Sequence, residues 1–267
     1  MNTETIRSTD LEIGETLRSL PPVEPPPALT ERILVELGLA DQYFESETPF
    51  GRTYFAFNEL GVSMVERGLD HRSFEQEFRS RHGRAAVFTD SPPRKLVRQI
   101  ESRLRGLPSQ GPAFDLRELT DFERDVLLKT LEIPFGQVRP YGWVAAQIGR
   151  PRAMRAVGSA LADNPVPLLI PCHRVVRSDG RIGNYGLGGP AAKRRFLELE
   201  GVEPDQLETL ARRNVRYFGS DTTHIYCYPT CGHARRVTDR HRVAFSSARQ
   251  ALSNGYRPCK VCRPVAG

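Results

Sequence analysis

The sequence lacks long apolar segments. No stretch approaches 18 consecutive apolar residues, and the first 15 residues are polar and acidic, without the apolar core of a secretory signal. A membrane span and a secreted location are therefore not expected, and we predict a cytoplasmic protein without a membrane partner. Hydrophobic residues make up 39% and charged residues 26% of the 267 residues, close to globular averages. At roughly 150 residues per domain, this length predicts about two domains and excludes a peptide hormone.

Cysteine is scarce, and its distribution is uneven. Four of the five cysteines lie near the C-terminus, at positions 227, 231, 259 and 262, while Cys172 stands alone. In a reducing compartment disulfides do not persist. The distribution therefore suggests one metal site and one separate thiol.

Acidic residues are almost absent from the C-terminal part. Residues 215–267 hold nine Lys or Arg against two Asp, a net charge of +7, and the other 214 residues sum to −1. A basic module appended to a nearly neutral body is the charge pattern of a surface that contacts the phosphate backbone of nucleic acid. The alternative is a basic face that is merely solvated.

The first half of the chain divides into an extension and a small α/β unit. Residues 1–44 form an acidic, proline-rich extension, within which Ala28 to Leu39 has the apolar spacing of a helix. In residues 45–115, a hairpin is predicted through 54–57 and 62–65, a strand over 85–88 and a helix over 94–105. We therefore predict a small α/β domain here.

Paired helices are predicted further along. The capping box Thr120–Glu123 begins one helix. A second helix covers 141–148, Gly149 supplies a turn, and Pro151 is predicted at the first position of a third helix that runs to about Leu161. This is the helix-turn-helix pattern, although most helix pairs joined by glycine bind nothing.

Cys172 lies in the apolar, proline-punctuated segment 164–176 and is followed directly by His173 and Arg174. A buried, inert cysteine is the usual interpretation of a lone cysteine. A nucleophilic cysteine needs a base to take its proton and positive groups to lower its pKa, and both residue types are adjacent in sequence.

The runs Tyr141–Gly158, Asn164–Pro165, Pro171–Val176 and Leu199–Gly201 resemble the methylated-DNA–protein-cysteine methyltransferases. The resemblance extends over residues 45–203. It implies an α/β fold with a small N-terminal domain, 45–115, and a helical, DNA-binding catalytic domain, 116–203. It also implies a single-turnover enzyme that flips O6-alkylguanine out of the duplex and takes the alkyl group irreversibly onto Cys172, without an organic cofactor.

The same resemblance implies a role for each matched residue. Arg155 would replace the flipped base, and Tyr141 would rotate the nucleotide and later protonate the leaving guanine. His173 would deprotonate Cys172 through a water molecule held also by Glu200, and Asn164 would order the turn that carries the cysteine. Two features depart from the family pattern: Pro140 replaces a serine, and the segment 184–190, which borders the alkyl pocket in the family, is one residue longer.

The C-terminal cysteines form two close pairs, separated by 27 residues. Such spacing is typical of a tetrahedral structural zinc site with four thiolate ligands, which we assign to Cys227, Cys231, Cys259 and Cys262. A pair of disulfides is the alternative in an oxidising compartment. Because a domain of this size has a small core, zinc would supply much of its folding free energy.

Residues 217–231 and 248–264 resemble the N-terminal zinc domain of Ada. That resemblance implies that Cys227 accepts a methyl group from a DNA methylphosphotriester. Tyr228 replaces the usual arginine and His224 a glycine, and with the sequence ending at Gly267 no Ada-type transcription activator is expected. We predict a linker at 204–214 and a separately folded zinc domain at 215–267, whose loss would leave transfer to Cys172 intact.

Taken together, these features predict a monomeric DNA-repair enzyme that acts on double-stranded, alkylated DNA. Its zinc module would either anchor DNA or accept a second methyl group at Cys227. The alternative is a non-catalytic protein that binds DNA damage or senses alkylation. Cys172 within Pro171–Arg174 favours the enzyme, because a sensor has no need of a nucleophile.

Overall fold

The computed structural model describes residues 26–108 and 110–265. The chain divides into two compact units, Met1–Ala40 and Asp41–Gly267. The described part of the first unit contains helix α1 (Pro27–Glu36), which confirms the predicted helix there. The proline-rich stretch before it lies outside the described residues.

A four-stranded sheet with the order β3-β2-β1-β4 begins the second unit, and two helices accompany it. Its elements are β1 (Ala40–Thr48), β2 (Gly51–Asn58), β3 (Gly61–Arg67), α2 (His71–His82), β4 (Ala85–Phe88) and α3 (Arg94–Leu104). The predicted hairpin, fourth strand and second helix are confirmed. The prediction missed β1, a central strand in which the neighbours Tyr43 and Phe44 are both buried, so that its apolar residues do not alternate. It also missed α2, whose only buried residues are Phe74 and Phe78.

Three helices form the next layer: α4 (Asp121–Leu131), α5 (Tyr141–Gln147) and α6 (Met154–Ala162). The capping box at Thr120 and Glu123 is confirmed. The placement of Pro151 was wrong, because α6 begins three residues later. Instead, the amide of Ala153 donates to the carbonyl of Arg150 at 2.9 Å, so that Pro151 occupies the second position of a β-turn, where its fixed φ is favourable.

Cys172 follows these helices in a short 3-10 turn, Cys172–Arg174. The turn runs into β6 (Val175–Val176), which pairs in parallel with β5 (Arg139–Pro140). Two helices then follow, α7 (Gly189–Leu199) and α8 (Pro204–Arg212). The predicted linker therefore contains a helix, and its buried Leu207 packs in one apolar cluster with residues such as Val138 and Val176.

The C-terminal module has a sheet of order β10-β8-β7-β9 and two short helices. Its elements are β7 (Tyr217–Ser220), β8 (Ile225–Cys227), α9 (Gly232–Arg235), β9 (Arg242–Phe245), α10 (Ala248–Ser253) and β10 (Arg257–Pro258). One buried apolar cluster includes both Trp143 and Val157 of the helical layer and Cys262 and Tyr226 of the module. This differs from the expectation of two separate cores.

The mixed α/β class predicted from the sequence is confirmed. Within residues 26–108 and 110–265, no helix is both long and apolar enough to cross a membrane.

Candidate active site and zinc centre

The Cys172 sulfur is buried, and a short loop holds it in place. The Asn164 amide organises this loop: its Nδ2 donates to Ile170 O at 3.0 Å and to Cys172 Sγ at 3.2 Å, while its Oδ1 accepts the Val166 amide at 3.0 Å. Leu168, inside the loop, has a φ of 70°, in the left-handed region that non-glycine residues rarely adopt. The loop is therefore strained and is held by the side chain that also contacts the sulfur.

The N-terminal sheet and helix α3 support this loop from outside. The Arg103 guanidinium donates to Leu169 O at 2.6 Å, and the Val65 amide donates to Pro165 O at 2.9 Å. The N-terminal sheet and α3 thus position the cysteine loop through backbone carbonyls.

Next to the cysteine, His173 and Arg174 both bind Glu200, the residue that caps α7 at its C-terminus. His173 Nε2 lies 2.7 Å from Glu200 Oε1, and Arg174 donates from Nε and Nη2 to the two carboxylate oxygens at 2.8 and 2.9 Å. The Gly136 amide adds a bond of 3.2 Å. Glu200 therefore contacts the imidazole directly, whereas the resemblance implied that the two share a water molecule.

The ionisation of this group follows from its surroundings. Burial opposes the charge of Glu200, but hydrogen bonds from His173 and Arg174 outweigh it and lower the pKa of the carboxyl to about 2. Burial lowers the pKa of His173, although Glu200 partly offsets the effect. An ionised carboxylate can only accept, so Nε2 carries the imidazole proton and Nδ1 carries the lone pair. That Nδ1 is buried and has no partner among the described protein atoms.

The Cys172 thiol is a weak acid in this environment. Burial raises its pKa, while the hydrogen bonds with Asn164 and Tyr185 and the charge of Lys193 oppose the rise. At neutral pH the group is therefore protonated, and it needs a base to become a nucleophile.

Two further residues at the site were missed by the sequence reasoning. Tyr185 Oη lies 3.9 Å from Cys172 Sγ, and the fully buried Lys193 donates to Val175 O at 2.6 Å and to Asn184 O at 3.3 Å. Burial lowers the pKa of Lys193 to about 8. The sequence does contain a signal for Lys193, because a lysine on the apolar face of a helix is unusual.

A cavity of about 230 Å³ opens beside the sulfur. The segment that is one residue longer than the family pattern forms one wall of it, and the lining includes Asn164, Pro167, Cys172, Tyr185 and Gly186 to Gly188. A Cβ at Gly186 would lie 3.0 Å from Ala162 O, so this wall packs closely on the end of α6.

The two residues predicted to handle DNA lie on the helix pair. The Tyr141 side chain is half-buried at the start of α5, with its ring over Gly158 of α6, where a Cβ would lie 3.9 Å from the ring. Arg155 is exposed near the start of α6. Within the described part of the chain, the side chains that form hydrogen bonds with Cys172 are those of Asn164 and Tyr185, not those of Tyr141 or Arg155.

The four C-terminal cysteines come together. Their sulfurs all lie within 4.8 Å of one another, and every one of the four residues is buried. Zinc–sulfur bonds of about 2.3 Å in a tetrahedron place sulfurs about 3.8 Å apart, so the quartet fits this ion. None of the five cysteines is in a disulfide. We assign a structural zinc to the quartet, as predicted.

The zinc quartet borders the helical layer. The indole Nε1 of Trp143 donates to Cys262 O at 3.0 Å, Thr230 Oγ1 accepts the Val138 amide at 3.0 Å, and Arg235 donates to Gly136 O at 2.6 Å. The Tyr228 side chain, which replaces the arginine of the Ada pattern, is buried and packs against Tyr217. The loop between the first two cysteines is therefore turned toward the helical layer.

Two family descriptions match this chain. The 6-O-methylguanine DNA methyltransferase, DNA binding domain, matches residues 121–202, and the metal binding domain of Ada matches residues 211–265.

Curated relatives and a solved structure agree with these matches. A methylated-DNA–protein-cysteine methyltransferase of Methanosarcina barkeri is 37% identical over 159 residues, 58% of this chain and 93% of the relative. The rat protein of the same name is 47% identical over 102 residues, 38% of this chain and 49% of the relative. This chain thus spans about half the length of the mammalian relatives that it matches. The crystal structure of Mycobacterium tuberculosis OGT in complex with DNA has a TM-score of 0.50 and 32% identity, covering 62% of this chain and 98% of that one.

Proposed function

This chain belongs to the methylated-DNA–protein-cysteine methyltransferase family, and from that premise we propose that it repairs DNA by moving an alkyl group from O6 of guanine to Cys172. The observation that carries the proposal is the buried thiol beside a histidine whose tautomer an ionised Glu200 fixes. This arrangement provides a base next to an acceptor that is not ionised at rest.

The proton of Cys172 leaves before the sulfur can attack. His173 Nδ1 carries the lone pair and has no described protein partner, so it receives this proton, through one water molecule because no direct contact joins it to Sγ. Glu200 stabilises the imidazolium that results, as the carboxylate does in a catalytic triad. The Asn164 amide and the Lys193 charge then stabilise the thiolate.

The thiolate attacks the alkyl carbon, forming an S–C bond while the O6–C bond breaks. The electron pair of the broken bond moves to the guanine, which takes up a proton from Tyr141. Burial and the nearby Cys172 both raise the pKa of Tyr141, which keeps its proton on the phenol until that step. The thioether product has no leaving path, so each molecule acts once.

Reaching an alkyl group on a stacked base requires that the nucleotide be extruded from the duplex. We propose double-stranded DNA as the partner, with α6 in the groove and Arg155 in the space of the flipped base. The exposure of Arg155 near the start of that helix supports this role. We further propose a monomer in the cytoplasm, where cysteines outside disulfides, such as the five here, remain reduced.

For the zinc module we propose an anchor on the DNA backbone beyond the lesion. Arg263 Nη1 lies 3.1 Å from Oε1 of Gln147, the last residue of α5, and Lys260 and Arg263 are exposed. The basic loop of the module therefore lies beside the helix pair, and both can face one phosphate backbone. Cys227 as a second methyl acceptor is the other possible role. It is 3% exposed, so the phosphotriester would have to approach a nearly closed site.

The test is mass spectrometry of the whole chain after incubation with duplex DNA containing O6-methylguanine. We expect a gain of about 14 Da, one methyl replacing one hydrogen, on the peptide containing Cys172, saturating at one equivalent and absent in Cys172→Ser. Binding of the lesion without any mass gain would instead favour the non-catalytic damage-binding protein.

The same measurement with methylphosphotriester DNA examines the module. A methyl group on Cys227 would make it a second acceptor, and its absence would leave Cys227 as a zinc ligand. To examine the anchor role, the salt dependence of duplex binding is compared for the wild type and Lys260→Ala. We expect the slope of the logarithm of the binding constant against the logarithm of the salt concentration to be shallower in Lys260→Ala, by the amount that about one phosphate contact contributes.

A further inference from the structure

Arg139 is a buried cation without a carboxylate partner in the described part of the chain. Arg139 is 2% exposed, and among the described residues its guanidinium donates only to Val138 O at 2.8 Å and to Gln137 Oε1 at 2.7 Å. Its Nε has no partner among the described residues. Burying a charge is costly unless an opposite charge compensates it.

The negative groups that act on Arg139 include sulfurs of the C-terminal quartet. Burial lowers the pKa of Arg139, and the strongest opposing influences are Cys262 and then Cys231. The guanidinium also lies 5.4 Å from the ring centre of Tyr228, the residue after Cys227, and 5.9 Å from that of Trp143. The aromatic faces thus enclose the cation at the edge of the quartet.

Zinc bound by four thiolates has a net charge of −2, because four negative sulfurs outweigh the ion. The quartet is itself buried, so this dianion also needs compensation. Arg139 comes from the catalytic part of the chain, in the strand just before Tyr141.

We propose that Arg139 is the charge partner of the zinc–thiolate centre, so that the catalytic part of the chain completes and stabilises the zinc site. Each charge offsets the cost of burying the other. The pairing of Arg139 with Val175 in the two-stranded sheet connects this ion pair to the turn that carries Cys172. The zinc module then stabilises the catalytic part and is not independent of it.

The test measures zinc release from the full chain to a chromogenic chelator, and it needs no DNA. We expect Arg139→Gln to release zinc about tenfold faster or more, a ratio that corresponds to about 1.4 kcal/mol. Arg139→Lys retains the charge and should release zinc at nearly the wild-type rate. The matched control is Arg235→Gln, which removes another guanidinium that bridges the same two parts but binds the carbonyl of Gly136. We expect little change in this control.

A double-mutant cycle separates charge from packing. Cys227→His keeps a zinc ligand but reduces the charge of the centre to −1, so the effect of Arg139→Gln should be smaller in that background. If the single Arg139→Gln chain is unfolded, the double variant should fold and hold zinc, because its zinc centre has less charge to compensate. The proposal is overturned by wild-type zinc release in Arg139→Gln, by an equal effect in both backgrounds, or by a double variant that is unfolded as well.

Discussion

Nε2 of His173 lies 2.7 Å from Oε1 of Glu200, and both residues are buried, so that a carboxylate and not solvent fixes the imidazole. Arg174 binds the same carboxylate through two nitrogens, which keeps it ionised and oriented. The residues Cys-His-Arg are adjacent in sequence, but the group that organises them lies at the end of a helix 27 positions away from His173.

Acid stability provides the first prediction. The pKa of Glu200 falls from 4.5 to about 2 on folding. A lowered carboxyl pKa contributes stability that is present above the unfolded pKa and is lost as the pH falls through the folded value. The contribution is on the order of 3 kcal/mol at neutral pH. In Glu200→Gln we expect the free energy of unfolding at neutral pH to be lower, and its decline between pH 4.5 and about 2 to be flatter than in the wild type.

The control is Glu198→Gln, on the same helix, whose carboxylate is 3.9 Å from Arg195 and largely solvated. Denaturant unfolding is measured for the three proteins over this pH range. If the wild type and Glu200→Gln lose stability in parallel as the pH falls, Glu200 does not have the lowered pKa.

Asn164 provides the second prediction, because its amide lowers the pKa of Cys172 and also holds the strained loop. Asn164→Asp keeps the acceptor for Val166 but places a negative charge near the sulfur, and Asn164→Ala removes all three hydrogen bonds of the amide. We expect the pKa of Cys172 to be higher in both variants, and Asn164→Ala to lose about 1–3 kcal/mol of stability through unpaired buried groups.

The rate of Cys172 alkylation by iodoacetamide as a function of pH gives the thiol pKa directly. The four zinc cysteines are kept metal-bound, and Cys172→Ser supplies the background rate. An unchanged pKa in Asn164→Asp would mean that the amide orders the loop but does not act on the thiolate.

The third prediction concerns Arg155, which is exposed on α6. If it fills the space of the extruded base, Arg155→Ala removes on the order of a few kcal/mol in duplex DNA. Repair of duplex O6-methylguanine should therefore slow by about a hundredfold, while transfer from the free base O6-benzylguanine changes little.

Arg195→Ala, which removes an exposed arginine from α7, is the control for a general loss of positive charge. Equal losses on duplex and free base would place Arg155 at the pocket or in the fold instead.

How far the sequence predicted this molecule depended on whether the signals were local. The capping box at Thr120 and the hairpin through 54–57 and 62–65 are determined by neighbouring residues, and both were found. Helix α2 was missed because two Phe residues four positions apart are its only buried apolar side chains.

The site residues also divide into those with local sequence signals and those that depend on tertiary contacts. Cys172 and the zinc quartet were found through short motifs, while the direct contact of Glu200 with His173 depends on tertiary packing. The helix in residues 204–212 was taken for a linker because its apolar stripe is short, and only its contact with Val138 and Val176 gives that stripe a partner. Which boundaries describe independent domains stays a prediction.

Trp143 provides the last prediction, because it is the only tryptophan in the chain and lies at the boundary with the zinc module. It is 4% exposed, and its indole donates to the carbonyl of the ligand Cys262 at 3.0 Å. If the zinc module and the catalytic part stabilise each other, removing zinc should expose this indole and shift its fluorescence emission to longer wavelength. The same treatment should slow methyl transfer to Cys172, and added zinc should restore both the emission and the transfer.

Cys259→Ser should show the shifted emission without chelator, whereas the emission of Cys172→Ser should respond to chelation as that of the wild type does. A module that unfolds alone, as expected from the sequence, would leave transfer to Cys172 unchanged after zinc removal even if the emission shifts. That result would show that the contact between Trp143 and Cys262 stabilises the zinc module but not the site around Cys172.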